Sequence, residues 1–363
     1  MISLRWKTNI AEGHLVALQS WENMNKVETL FLLRPDRAGD AIKTLPVLRA
    51  LRALYPEKDL HLVASEHNGS LFALEPGVTL HTLPKHWKRM KPESLSQIFR
   101  SKPYAGPLTK AVNLVCDPSD GVDLLLNSIQ AEHNYTAHTA LTGANIHRLE
   151  FPESTPANRN ETENIALLLG QVFESDLTEK AYEMPTSPIF SEGDRNEALD
   201  KMGPKKGLWV GFCPVASTDR RTPPAKRWAK FIDKVSQQID FDRFFLFGTP
   251  ADYAYLVSLR QGSPKRDRIE FCFPSSFRTL GAYLDRLDGA VCVDSGPLHL
   301  ARSMGVKSLG ILSGCDTQRW FHELKSGEQI LRRGIFARFP TVLEMVWAFE
   351  KWSPVLEARQ SSL

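Results

Sequence analysis

The sequence lacks the signatures that most often reveal nucleotide- and metal-using enzymes. Its 363 residues contain no G-x-G-x-x-G, no G-x-x-x-x-G-K-[ST], no H-E-x-x-H and no G-x-S-x-G. These absences argue against the commonest dinucleotide oxidoreductases, P-loop enzymes, zincins and α/β-hydrolases. Cysteine is sparse: Cys116, Cys213, Cys272, Cys292 and Cys315 are odd in number, scattered and never paired as C-x-x-C, which excludes a zinc knuckle or thioredoxin-like site. They read as buried, reduced thiols. No apolar run approaches the roughly 18 residues that span a bilayer. The first 26 residues mix Arg5, Lys7, Glu12, His14 and Glu22 with apolar positions, lack a signal-peptide core and read as an N-terminal extension. A cytoplasmic protein is the expectation. The formal net charge of +3 is too small for a nucleic-acid binder on bulk electrostatics, so any anionic partner must be met by local clusters. There is no internal repeat and no low-complexity tract.

What is present is ordinary globular composition, 42% hydrophobic and 24% charged, in a chain longer than one core usually supports. Val27 to Leu33 reads as a strand. It runs into the turn Arg34-Pro35-Asp36-Arg37-Ala38-Gly39-Asp40 and then a helix marked by Ile42, Leu45, Leu48, Leu51 and Leu54, which Pro56 ends. Further strands are expected at Asp59 to Ala64 and Ala111 to Cys116. The stretch Met184 to Lys206, with three prolines, two glycines and many charges around a short helix, reads as a linker. Strands then resume at Leu208 to Phe212, Arg243 to Phe247, Ile269 to Phe273, Ala290 to Val293 and Ser308 to Leu312. A last helix carries Val342, Met345, Val346 and Phe349 on one face. Alternating strands and helices predict α/β architecture with parallel sheets. The expected division is an N-terminal α/β unit over 27–185, a linker over 186–206, a C-terminal α/β unit over 207–340 and a terminal helix and tail over 341–363. The cleft between the units is the expected ligand site.

Three loops carry the chemistry. Val291-Cys292-Val293-Asp294-Ser295-Gly296-Pro297-Leu298-His299 leads a buried strand into a helix start with proline well placed for its first turn. Backbone N–H groups there, aided by the helix dipole, suit a diphosphate; a plain N-cap by Asp294 or Ser295 suits the same residues. Phe212 to Arg221 offers hydroxyls and two arginines to phosphate oxygens, and Phe247 to Asp252 offers an acid to a ribose or base. The D-x-D at Asp240-Phe241-Asp242 has a spacing that holds metal-bound sugar nucleotides, but it precedes a strand and reads as a solvated turn. His133, His138 and His147 are too irregular for a metal site. Asn-x-Ser/Thr triplets at Asn68, Asn134 and Asn160 read as chance.

Taken together, R-P-D-R-A-G-D-A-I-K-T-L-P near the start and V-D-S-G-P-L-H-L-A near the end resemble the ADP-heptose lipopolysaccharide heptosyltransferases, glycosyltransferase family nine. The resemblance spans roughly Val27 to Phe349. It implies a GT-B architecture of two Rossmann-like domains and an inverting, metal-independent transfer with no cofactor. It places the catalytic aspartate at Asp40 and donor-loop positions at Asp294, Ser295, Gly296 and His299. A phosphate-gripping lysine of the family falls on Arg221, its preceding hydroxyl on Ser217 and its acidic nucleotide contact on Asp252. The tryptophan that usually follows the lysine is replaced by Pro223, and Trp228 matches a later aromatic. A carboxylate near a helix start stays ionised and could take an acceptor proton; Asp40 would equally serve as a favourable acid in the first turn.

On the acceptor side, Lys85-His86-Trp87-Lys88-Arg89-Met90-Lys91 resembles a family segment that meets a phosphorylated, lipid-linked acceptor, and Arg34 matches a basic position beside the catalytic turn. Lys85, Lys88 and Arg89 could also rest on an anionic inner-membrane surface at roughly 1 kcal/mol per basic residue. The implied partners are a nucleotide-sugar donor, ADP-heptose, and a lipid-linked or core oligosaccharide, with no nucleic acid. The alternatives are a sugar-nucleotide epimerase on the same scaffold and a non-catalytic nucleotide-sugar or glycan binder.

Overall fold

The computed structural model describes residues 28–100, 109–151, 159–239, 241–264, 266–313, 324–332 and 339–353. Two six-stranded sheets organise them. The first contains β1 (Thr29–Arg34), β2 (Asp59–Ser65), β3 (Val78–Leu83), β4 (Thr109–Asn113), β5 (His133–Thr136) and β6 (Ile146–Arg148), in the order β3-β2-β1-β4-β5-β6. The second contains β7 (Trp209–Cys213), β8 (Arg243–Phe247), β9 (Ile269–Cys272), β10 (Gly289–Val293), β11 (Ser308–Leu312) and β12 (Glu328–Arg332), in the order β12-β11-β10-β7-β8-β9. All pairings are parallel. The strand order therefore reverses beside β1 in one unit and beside β7 in the other, and ligands of doubly wound sheets bind outside the strands' carboxyl ends at such points. The expected α/β, GT-B architecture is the one observed.

The apolar runs became strands because both sheet faces are covered. Leu30 and Leu32 pack on one face of β1 and Phe31 and Leu33 on the other, all fully buried. Each such side chain contributes about 1.5–3 kcal/mol relative to exposure. The helix Ala38–Leu54 buries Ala41, Ile42, Leu45 and Leu48, and Tyr55 caps its end as the backbone N–H donates to Leu51. One apolar cluster runs from this helix into Leu298, Leu300 and Ala301 of the helix Gly296–Ser303, so the two units meet through a shared core. The strands β3, β5, β6 and β12 were not expected.

The segment read as a linker carries a helix, Glu192–Met202, that packs on the helix Phe277–Leu284. Asp194 fixes this contact: it accepts from Arg278 Nε (2.7 Å) and Thr279 Oγ1 (2.7 Å) and caps its own helix with Ser191. Burial opposes its charge, yet bonds from Ser191, Thr279 and Arg278 hold it down at about 2. The terminal helix Val342–Trp352 packs against the helix Ala225–Val235 and β12, alongside the second sheet. No helix among the described residues is long and apolar enough to cross a membrane.

Candidate active site

One wall of the cleft is the turn after β1. Asp40 is the third residue of the helix Ala38–Leu54; its Oδ2 accepts from the Arg37 N–H (3.3 Å) and its Oδ1 lies 3.7 Å from Arg34 Nη2. The Asp40 side chain keeps 14% exposure. Arg34 was expected to face an acceptor, but its side chain is fully buried behind Asp40 and does not line the cleft. Its Nη2 donates to Glu161 Oε1 (2.9 Å), its Nη1 to the Leu114 carbonyl, and its Nε lies 3.2 Å from Asp36 Oδ1. Burial alone would lower its proton affinity; Asp36, Glu161 and Asp40 outweigh that and raise it, so it stays a cation. Burial, reinforced by Asp40 and Glu161, pushes the Asp36 carboxyl well above the usual range despite Arg34. Three carboxyl groups thus share one guanidinium, and Asp40 is the member that reaches the cleft. Asn68 ties the neighbouring loops together: it is buried, and its Nδ2 donates to the carbonyls of Arg34 (2.9 Å) and Asp36 (3.2 Å). That burial is why its Asn-x-Ser triplet is no surface sequon.

The opposite wall comes from the second sheet. After β7, Arg221 is gripped from three sides, by Ser217 Oγ (2.9 Å), Thr218 Oγ1 (3.4 Å) and Asp294 Oδ2 (3.4 Å). Asp294 follows β10 and has 9% side-chain exposure, so this ion pair links the β7 and β10 loops across the point where strand order reverses. The helix Gly296–Ser303 begins with no side-chain cap; the Ser295 hydroxyl turns instead to the Val293 carbonyl (3.2 Å). Neither Asp294 nor Ser295 closes that helix end, which leaves the dipole and the first N–H groups facing the cleft. After β8, Asp252 spends Oδ2 on the Thr249 N–H and hydroxyl, both at 2.7 Å, in a capping box.

The two walls touch at glycine. A Cβ on Gly39 would lie 2.8 Å from His299 Cδ2, and one on Gly296 would lie 3.3 Å from Ala38 Cβ and 2.6 Å from Phe277 Cζ. Only glycine lets the two helix starts approach this closely. His299 is 8% exposed, and burial, with the nearby charges of Lys43, Arg302 and Arg221, pushes its imidazole down to about 3. It is neutral at physiological pH.

The enclosed volume is about 780 Å³, within the range of small-molecule sites. Asp40, Ser217, Arg221, Asp252, Asp294, Ser295, Gly296 and His299 all line it. Lys85, Lys88 and Arg89 do not; they sit exposed around the one-turn helix Trp87–Arg89. Trp228 is fully buried in the second unit's core, edge-on to Phe212 and Phe231. In the D-x-D, Asp242 accepts from Trp209 Nε1 (3.3 Å) at the amino edge of β8, away from the cleft; Asp240 lies outside the described residues, as do Cys315 and the first 26 residues. Sequence reasoning gave no role to Arg37, Glu66, His67, Ser70, Ser275, Ser276 and Phe277, which also line the cleft. Their position was the available signal: Glu66 and His67 follow β2 as the Asp40 turn follows β1, and Ser275 to Phe277 follow β9.

Residues 152–332 match the model of the family described as "Glycosyltransferase family 9 (heptosyltransferase)". No curated protein matches the sequence. Among solved structures, the chain is similar to the family 9 glycosyl transferase of Veillonella parvula (16% identity, TM-score 0.74, covering 91% of this chain and 98% of that one). It is similar also to the ADP-heptose lipopolysaccharide heptosyltransferase II of E. coli (16% identity, TM-score 0.69, 92% and 99%). A third is the E. coli heptosyltransferase WaaC with ADP (14% identity, TM-score 0.64, 89% and 99%). At these identities the likeness establishes the fold alone. Through its residues 152–332, the chain belongs to glycosyltransferase family 9, the heptosyltransferase family.

Proposed function

We propose that this protein is an inverting glycosyltransferase that moves a heptose from ADP-heptose to a hydroxyl of a lipopolysaccharide-core or related lipid-linked glycan. The observation that carries the reading is the convergence of Asp40 and an uncapped helix start on opposite walls of one cleft, joined where Gly39 packs on His299. In this reading the acceptor oxygen attacks the anomeric carbon, its proton passes to Asp40, and the bond from that carbon to the diphosphate oxygen breaks. The nucleoside diphosphate leaves with the bonding electrons. Arg221, Ser217 and the amides around Ser295 and Gly296 offset the charge that develops on it. Asp294 holds the Arg221 guanidinium in place, and neutral His299 supplies a hydrogen-bonding wall without adding charge. Asp252 is the acidic contact for the ribose or base. No metal or cofactor takes part.

Arg34 acts from behind: its guanidinium, 3.7 Å from Asp40 Oδ1 and anchored on Glu161, orients the Asp40 carboxylate. Lys85, Lys88 and Arg89 meet the anionic groups of the acceptor or of the cytoplasmic membrane surface. The experiment is product analysis with ADP-heptose, with and without a core acceptor. Heptosylated acceptor formed together with ADP supports the reading. An isomerised nucleotide-sugar without acceptor identifies an epimerase instead, and binding without turnover of any kind identifies a non-catalytic binder.

A further inference from the structure

Behind His299, on the side away from the main cleft, lies a second cavity of about 230 Å³ between the two units. This is below the usual size for a drug-like ligand, yet several times the roughly 30 Å³ a water molecule occupies in the liquid. Its lining is cationic. Lys43 enters from the helix Ala38–Leu54, Arg302 from the helix Gly296–Ser303, and Lys325 from the approach to β12. The single carboxylate in the lining, Glu328, is already engaged by Arg302 Nε (3.0 Å) and Nη2 (2.9 Å) and by the Lys325 N–H (2.9 Å). Among the described residues neither the Lys43 nor the Lys325 ammonium has a carboxylate partner. Burial, together with the charges of Arg302 and Lys325, lowers Lys43 to about 8 although Glu328 and Glu161 oppose the shift; with three cationic side chains to one carboxylate, the lining carries a net positive charge. Thr162, in the first turn of the helix Glu161–Phe173, lines the same cavity, and its hydroxyl donates to the Lys43 carbonyl (3.1 Å), fixing the backbone that carries the lysine.

We propose that this cavity is a binding site for a phosphate-class anion, held by Lys43 and Lys325 with Arg302 behind them. An anion there contacts both units at once and sits against the far side of the His299 ring, so its occupancy would stiffen the wall that closes the main cleft. The site is separate from the donor position and does not depend on the identity of the transferred sugar.

The test is thermal stabilisation of the full chain by inorganic phosphate and, in a second arm, by glucose 6-phosphate, against chloride at matched ionic strength. Wild type, Lys43→Met and Arg221→Gln are compared. Stabilisation that survives Arg221→Gln but weakens at least about tenfold in apparent affinity in Lys43→Met supports the site. The better of the two ligands then distinguishes a free anion from a phosphorylated sugar. Lys325→Gln alters an exposed residue and serves if Lys43→Met does not fold; the same weakening is expected of it. Stabilisation by neither ligand, or stabilisation that persists in the lysine variants and vanishes in Arg221→Gln, overturns the proposal.

Discussion

Gly39→Ala separates the fit between the two walls from the stability of either unit. The new methyl would stand 2.8 Å from His299 Cδ2 and 3.4 Å from its Nε2. Ordinary contact begins near 3.4 Å, so the ring, or the unit carrying it, must retreat by about 0.6 Å. The ring has little room, being 8% exposed. Against this, alanine suits a helix better than glycine by up to about 1 kcal/mol, while overpacking costs about 1–3 kcal/mol, so net stability changes little. Catalysis is less forgiving, because a displacement near 1 Å costs up to about 10²-fold. The expected result is a 10- to 10²-fold fall in kcat/KM with the urea midpoint shifted only slightly. Gly193→Ala is the control, since its added carbon meets only Ser191 Oγ at 3.6 Å. If Gly39→Ala keeps wild-type kcat/KM, the contact between Gly39 and His299 does not set the catalytic geometry.

Other consequences follow from the buried charges. Arg34→Met leaves Glu161 without its cation, and losing one partner of a buried pair costs about 3–5 kcal/mol; urea unfolding showing less than about 1 kcal/mol would contradict the role given to Arg34. For His299, the folded-state value near 3 lies below the unfolded value near 6.5, so the unfolded chain takes up the proton first as pH falls. Its contribution to stability is complete above pH 6.5 and declines towards pH 3 by about 1.4 kcal/mol per unit. His299→Gln should therefore flatten the loss of urea stability between pH 6.5 and 5, and an unchanged slope would show that another group titrates there.

How much of this could be read from sequence follows from where information lies along the chain. Strands β1, β7, β8, β10 and β11 are covered on both faces and show as continuous apolar runs. The sequences of β5 (His-Asn-Tyr-Thr), β6 (Ile-His-Arg) and β12 (Glu-Gln-Ile-Leu-Arg) are short or polar because edge and near-edge positions bury less. The Asp40 turn and the Asp294 loop were legible because strand, turn and helix start are contiguous. Arg34 was not: its burial depends on Leu114 and Glu161, 80 and 127 residues away, and an arginine next to a turn otherwise reads as exposed. In the segment read as a linker, composition showed the short helix but not its packing. Its charges are mostly solvated, but Asp194 is turned inward to bind Arg278 and Thr279.

The claim on which the proposed chemistry turns is that Asp40 takes the acceptor proton while the other wall holds the donor. Asp40→Asn keeps the shape and removes the base, so calorimetric titration with ADP-heptose beside a transfer assay tests it most directly. Donor affinity within about threefold of wild type, with transfer reduced at least about 10²-fold, is the expected pair of results. Transfer at the wild-type rate, or a loss confined to donor binding, would contradict it.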